Sequence, residues 1–227
     1  MTLAFIIAIL SGARIQTVFT LRISNIDRSA KNEGRLTPTT IGAGTLVDSK
    51  FGRRNIIYLP DWVHQALNTY IESPRYKKRQ AKSQNQDPNT SYIFLTSHGS
   101  PYYMAKADPQ RREFKLRPTG STVRTFIHER LIPELKSHGT SINFRFHNLR
   151  ATFGLNLVEG LLDELEAGRI SYLELIRHVA DRMGHSNTEV TERYITYKKT
   201  RKLISISQKK LEGHLYQLIS RAANDSQ

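Results

Sequence analysis

The chain has 227 residues and no cysteine, and its 34 Lys and Arg against 20 Asp and Glu give a formal charge of +14 and a pI near 10.1. Disulfides, thiolate nucleophiles and cysteine–zinc sites are therefore excluded, and the cationic excess suits a polyanionic partner, most simply nucleic acid. The apolar run Leu3–Leu10 is too short to span a bilayer and lacks the basic lead of a signal peptide, while the basic residues are spread along the chain rather than gathered on one amphipathic helix, so no membrane association is expected.

Residues 2–10 predict a core helix broken at Ser11-Gly12, followed by a short helix from Arg14 to about Thr20. Taken alone, Arg14 reads as a surface arginine at a helix start. Leu21–Ile26, Thr45–Asp48 and Asn55–Leu59 read as three short strands separated by polar, Gly-containing connections, hence a small three-stranded antiparallel sheet near the N-terminal part. Lys50 falls in the turn between the second and third strands, where a lysine is usually solvated, and Arg53 and Arg54 lie close beside it. Asp61 to about Ile71 reads as a helix. Arg75–Lys82 then opens a polar loop, and its Lys77, Lys78 and Arg79 suit solvent and phosphate equally well. Tyr92–Leu95 reads as a short strand, and Ser121–Lys136 as a long helix with a possible kink at Pro133.

Further on, Phe146, Leu149, Phe153 and Leu157 recur at helical spacing, which puts His147 and Arg150 on one helix face. Leu161–Ala167 and Tyr172–Met183 are helix-like. Met183-Gly184-His185-Ser186 follows, with Tyr194 nine residues after His185. An unbroken helix would hold His185 and Tyr194 about 13 Å apart along its axis, so the chain is expected to bend between them. Ser186-Asn187-Thr188-Glu189 reads as a capping box, and Thr191 as the cap of a second turn carrying Tyr194. Each of His147, His185 and Tyr194, taken singly, is more often a packed or exposed side chain than a catalyst, and Tyr197 is the competing nucleophile. There is no His-Glu-x-x-His, and Asp163, Glu164 and Glu166 read as the polar face of a helix, so no metal site is expected; the lack of a Gly-rich phosphate loop argues against kinases and NTPases. Lys198–Lys202 reads as a basic link into a helix over 203–222 with Ile204, Leu211, Leu215 and Leu218 along one side.

Ser11-Gly12-Ala13-Arg14, Lys50 ahead of Ile57-Tyr58-Leu59-Pro60, His147-x-x-Arg150, Gly184-His185-Ser186 and Tyr194, in this order, resemble the tyrosine recombinase (phage integrase) family, and the likeness covers nearly the whole chain. The resemblance implies an α+β, mainly helical catalytic domain over 1–202. It also implies a C-terminal helical tail, 203–227, that either packs on its own domain or is exchanged with a neighbour in a dimer or tetramer on DNA. The function implied is that of a site-specific recombinase or integrase that cleaves and rejoins DNA strands through a 3′-phosphotyrosine, without metal, ATP or another cofactor. Arg14 and Arg150 would grip the non-bridging phosphate oxygens, and His147 and His185 would add hydrogen bonds, one of them taking the proton of Tyr194. Tyr194 would attack phosphorus, and Lys50 would protonate the leaving oxygen. Arg53, Arg54, Lys77, Lys78 and Arg79 are further candidates for DNA contact. A catalytically silent DNA-binding module on the same scaffold and a topoisomerase IB-like relaxing enzyme are the alternative readings.

Two departures from the family pattern stand out. Thr17 occupies a position where the family commonly carries an acid, and the 35 residues from Arg150 to His185 exceed the usual spacing, which suggests an added helical turn or loop at Glu159–Ile170. Family integrases carry helical DNA-binding domains upstream of this region, and those domains are expected to be absent from a chain that starts one helix before Arg14. A prokaryotic or phage source would place the protein in the cytoplasm, associated with the nucleoid.

Overall fold

A computed structural model describes the chain except for Asn32, Gln86, Pro88, Ser186, Asn187 and residues 225–227; the side chains of Val190 and of residues 218–224 also lie outside the description. The chain divides into two compact units, Met1–Phe153 with Arg182–Gly184, and Gly154–Asp181 with His185–Gln227. The architecture is mainly helical with one small antiparallel sheet.

The first unit is built on α1 (Thr2–Ser11), apolar on nearly every side and with Ala4, Ile7 and Ala8 buried, as expected of a helix enclosed by its own core. Its end is set by Gly12 at φ 65°, whose N–H donates to the Ala8 carbonyl. A Cβ there would lie 2.4 Å from a ring carbon of Phe153, so conformation and space both require glycine. Next comes α2 (Ile15–Thr20), followed by a hairpin of β1 (Leu36–Ile41) and β2 (Asn55–Pro60) with Thr39 opposite Ile57 and Ile41 opposite Asn55. The unit continues with α3 (Asp61–Glu72), α4 (Pro74–Gln80), α5 (Ser121–Phe126) and α6 (Ile132–Ser137). Phe19 packs against Phe94, Tyr102 and Phe146, and Phe5 against Phe144 and Phe146. These contacts pin Phe146 and with it the start of α7 (Phe146–Glu166).

Several expectations need correction here. The sheet has two strands rather than three. Leu21–Ile26 instead forms a 3-10 turn at Ile23–Asn25, because Arg22 turns inward: it donates to Asp108 at 2.8 Å and to the Thr90 carbonyl at 2.6 Å, and lies over the Tyr92 ring. Residues 45–48 make their hydrogen bonds with side chains and a local turn, not with a strand partner. The second strand is 36–41, and Tyr92 and Leu95 make only isolated bridges. Arg75–Lys82 is mostly helix α4, started by Ser73, whose hydroxyl accepts the Tyr76 N–H, and by Pro74 in the first turn. Between α5 and α6 the helix widens to a π turn at Ile127–Leu131; Pro133 has no N–H to donate back to Glu129.

The unit boundary falls within α7, after Phe153. The second unit comprises the remainder of α7, most of α8 (Tyr172–Met183) and α9 (Glu189–Asn224), with Val158, Leu162, Leu175, Ile176, Val179 and Ile195 buried. Glu159–Ile170 is the last part of α7 and a short turn closed by Ala167 N–H to the Asp163 carbonyl and Gly168 N–H to the Leu165 carbonyl. Because α9 runs unbroken for 36 residues, Thr191 is not a helix cap and Lys198–Lys202 is not a flexible link. Lys198 and Lys202 instead pair with Glu159 and Glu166 of α7. Half of the expected capping box, Ser186-Asn187, lies outside the described residues. Ile204, Leu211 and Leu215 of the tail stripe are exposed, and Leu218 is among the undescribed side chains. No helix among the described residues is long and apolar enough to cross a membrane.

Candidate active site

In the first unit the structure gathers four of the six residues singled out from sequence. Arg14 is the extended N-cap residue of α2, His147 and Arg150 lie on the first turns of α7, and Lys50 sits in the β1–β2 connection. A cavity of about 130 Å³ is lined by Ala13, Arg14, Ile15, Gln16, Phe146, His147 and Arg150. Such a volume suits a small anionic group rather than a cofactor.

Arg150 is 4% exposed, and its two terminal nitrogens donate to the carbonyls of Gly12 and Met183. Both carbonyls lie at helix C-termini, of α1 and α8, where the helix dipole is negative and a cation is favoured. Gly184 follows with φ 57°, and a Cβ there would lie 2.4 Å from the Asn55 amide nitrogen. The Gly184 of the Gly-His-Ser motif is thus required by backbone shape in the first unit.

Lys50 is placed by a set of hydrogen bonds from α2. Thr17 donates to the Asp48 carbonyl at 2.8 Å, Thr20 accepts the Asp48 N–H at 2.8 Å, and Gln16 donates to the Ser49 carbonyl at 2.7 Å. Since α2 begins at Arg14, one short helix fixes both the arginine and the base of the lysine loop. Thr17 makes a defined contact at the position where an acid was expected, and it is a site residue that sequence reasoning treated only as a gap. Lys50, Phe51, Arg53 and Arg54 are exposed, and Phe51 stands in the left-handed region, φ 58° and ψ 19°. For a bulky side chain that conformation costs about 1–2 kcal/mol.

The electrostatics of the cluster are uniformly positive. His147 is held below the usual histidine range, first by partial loss of hydration and then by the charges of Arg150, Arg14 and Lys50. Burial lowers the Arg14 guanidinium somewhat as well. Among the described residues no group of three or more His, Cys, Asp or Glu is placed to hold a metal ion. The polar groups that converge on the cavity are nitrogen donors, two of them guanidinium cations, which attract an anion.

His185 and Tyr194 belong to the second unit. The His185 N–H donates to the Ala180 carbonyl at 2.9 Å, and its Nδ1 shares a hydrogen bond of 3.0 Å with the hydroxyl of Thr191. Thr191 is fully buried in the first turn of α9, three residues before Tyr194 and on the same helix face. The half-buried Tyr194 ring lies nearly parallel to the His185 imidazole, with centroids 6.4 Å apart and planes at 10°. His185 lies outside the helices and α9 begins only at Glu189, so the two residues do not share one unbroken helix. Tyr197, the rival tyrosine, is exposed on α9. Of the tentative DNA contacts on α4, Arg79 donates to the Leu95 carbonyl and Lys77 pairs with Glu72, while Lys78 is exposed.

The fold is similar to that of solved tyrosine recombinases. No family model matches the chain. It is 25% identical over 184 residues to the tyrosine recombinase XerC of Bacillus pumilus (strain SAFR-032), covering 81% of this chain and 45% of that protein. Among solved structures, the XerH site-specific recombinase in a post-cleavage complex with palindromic difH substrate aligns with a TM-score of 0.54 at 14% identity, over 90% of this chain and 44% of the other. The Tn1549 transposon integrase in complex with a circular intermediate DNA aligns with a TM-score of 0.50 at 20% identity, over 89% and 57%. The chain is thus similar in sequence to one tyrosine recombinase and shares its fold with two solved enzymes of that kind. It spans about half the length of the relatives it matches.

Proposed function

We propose that the chain is the strand-cleaving and strand-joining domain of a site-specific DNA recombinase or integrase. The observation that carries this reading is the convergence of Arg14, His147 and Arg150 on one small cavity, with Lys50 held to the same helix start. A phosphodiester resists attack because its charge repels nucleophiles and its transition state gathers more charge on the non-bridging oxygens. Two guanidiniums offer forked donors that match those oxygens, and Arg150 is locked in place before any substrate arrives. Preorganised donors of this kind contribute several kcal/mol to catalysis.

In the reaction proposed, the Tyr194 oxygen bonds to phosphorus as the bond from phosphorus to the 5′ oxygen breaks. One of the two histidines takes the phenolic proton, and Lys50 protonates the leaving 5′ oxygen. The enzyme is left joined to the 3′ phosphate, and a 5′ hydroxyl from another strand reverses the step. The bond energy is retained in the ester, so the scheme calls for neither ATP nor a metal. Double-stranded DNA is the partner, in line with the +14 charge and with the DNA-bound state of the XerH and Tn1549 structures.

The test is covalent trapping on a denaturing gel with nicked duplexes. Trapping is expected from the unaltered chain with excess chelator present, and its loss is expected in Tyr194→Phe, which keeps the ring but not the nucleophilic oxygen. Retained DNA binding with no adduct from the unaltered chain would identify a silent binding module. An adduct lost in Tyr197→Phe instead would move the nucleophile, and activity restored only by magnesium would move the chain to a metal-dependent class.

A further inference from the structure

The Lys50 loop carries a feature that phosphate chemistry does not use. Phe51, at its tip, is 77% exposed, the largest exposure of any phenylalanine described. Among the described residues it is also the only non-glycine with positive φ. Phe51 and Gly52, at φ 58° and 71°, are the central pair of a tight turn in which the Arg53 N–H donates to the Lys50 carbonyl at 3.3 Å. A turn with positive φ at both central positions is filled best by Asn-Gly or Asp-Gly, because Asn and Asp tolerate the left-handed region and a bulky ring does not. Here the local optimum is passed over for an aromatic residue in a strained conformation.

Nothing about the loop compensates for that choice within the chain. The ring is mostly in solvent rather than packed, and the Lys50 ammonium lies 5.0 Å from its centroid. The base of the loop, by contrast, is held firmly. Gln16 and Thr17 grip Ser49 and Asp48, the Ser49 hydroxyl donates to the Arg53 carbonyl, and the Ala43 N–H donates to the Gly52 carbonyl at 2.8 Å. A loop held at its base therefore presents one exposed apolar ring, flanked by Lys50, Arg53 and Arg54, all exposed. A ring in such a cationic frame fits a partner that is negative at its rim and apolar within. Duplex DNA is such a partner, with phosphates outside and base stacks between them.

We infer that Phe51 is a wedge that inserts between base pairs beside the phosphate gripped by the Arg14, His147 and Arg150 cluster, unstacking that step and helping to choose the cleavage position. The inference rests on the strand-cleavage reading. Apolar side chains of this kind are used to open base steps in bent duplexes. The cost of opening is lowest at pyrimidine–purine steps, TA and CA/TG, so a wedge reads sequence through deformability without a hydrogen bond to any base.

The test uses the full chain and a pool of duplexes randomised around a nick, with covalent trapping and sequencing of the captured DNA. The unaltered chain should over-represent TA and CA/TG steps next to the joined phosphate several-fold. Phe51→Gly should bring that bias down to the level of the input pool, whereas Phe51→Tyr, which keeps an aromatic face, should retain it. Phe51→Gly should also unfold at a higher urea concentration than the parent, because it removes the strained residue without emptying a core. That pairing of gained stability with lost selection is what a packing residue would not give. An unchanged bias in Phe51→Gly, or a lowered urea midpoint, overturns the wedge while leaving strand cleavage intact. The absence of any adduct from the unaltered chain overturns the cleavage reading and the wedge with it.

Discussion

The two units hold their reactive groups in different ways. In the first, two of the cations are held by parts of the chain remote in sequence: Arg150 by carbonyls 138 and 33 residues away, and the base of the Lys50 loop by side chains of α2 some 31 and 33 residues earlier. In the second, His185 is oriented by Thr191, six residues on, and by Ala180, five residues back, and Tyr194 lies three residues beyond Thr191 on the same helix. The groups proposed to meet a phosphate are thus set by the tertiary fold. The surroundings of Tyr194, the proposed nucleophile, are set by whether one helix start forms. The first arrangement is costly to disturb, while the second can be altered with little effect on the remainder of the chain.

The largest expected effect of breaking that contrast is at Arg150. Arg150→Ala removes a transition-state donor and also leaves two carbonyls inside the first unit without their charged partner. Cleavage should fall by roughly 10³-fold, the upper part of the range for losing one preorganised donor. Stability should fall by about 3 kcal/mol, two hydrogen bonds to a charged group. Single-turnover adduct formation and urea unfolding measure the two losses. A variant inactive but as stable as the parent would show that the bonds to Gly12 and Met183 do not hold the fold.

A matched pair of smaller changes sharpens the comparison. Thr17→Val and Thr191→Val each remove one hydroxyl with little change in volume. Thr17→Val strands the Asp48 carbonyl in a buried setting and should cost about 1 kcal/mol of stability, with a loss of cleavage rate on the order of tenfold through the displaced lysine loop. Thr191→Val removes one hydrogen bond to a half-buried imidazole from a position six residues away, so it should lower cleavage to a similar degree with stability within about 0.5 kcal/mol of the parent. Equal stability losses in the two variants would erase the distinction between remote and local support.

Legibility in the sequence follows the same line. Helix α1 was readable as a short, unbroken apolar run, and α3, α8 and the start of α7 because their apolar residues recur at helical spacing; the His147–Arg150 pair came with α7. Strand β1 was not, because Leu36-Thr-Pro-Thr-Thr-Ile41 has a proline and three threonines where apolar alternation was sought. Pro38 is tolerated since a two-stranded hairpin consists of edge strands only. Helix α4 carried a readable start in Ser73-Pro74, outweighed by a charge run that suggested loop. The partners of Arg150 could not be read at all, because nothing local marks a carbonyl 138 residues away as its acceptor. Thr191 was noticed for the wrong reason: a hydroxyl near a helix start suits a cap and a histidine partner alike, and only the three-dimensional path of the chain at His185 distinguishes them.

The smallest expected effect concerns His147 and acid. Its ring is exposed at the surface yet partly dehydrated and surrounded by Arg150, Arg14 and Lys50, so the folded protein holds it below the unfolded value of about 6.5. A group with a depressed folded value contributes stability that is present above the unfolded value and lost as pH falls through the folded one. Stability should therefore decline below about pH 6.5, and His147→Asn should decline less steeply. His64, lowered in the same direction mainly by burial, supplies a background common to both proteins and cancels in the difference. Salt separates the two causes at His147: at about 1 M the screening length is roughly 3 Å, so the part due to the three cations should shrink and the part due to lost hydration should remain. An anion in the cluster acts in the opposite sense, neutralising the cations and drawing a proton onto the imidazole. Inorganic phosphate should then stabilise the parent more at pH 5.5 than at pH 7.5, and the excess should vanish in His147→Asn. Equal phosphate stabilisation of the two proteins at pH 5.5 would separate His147 from the anion site.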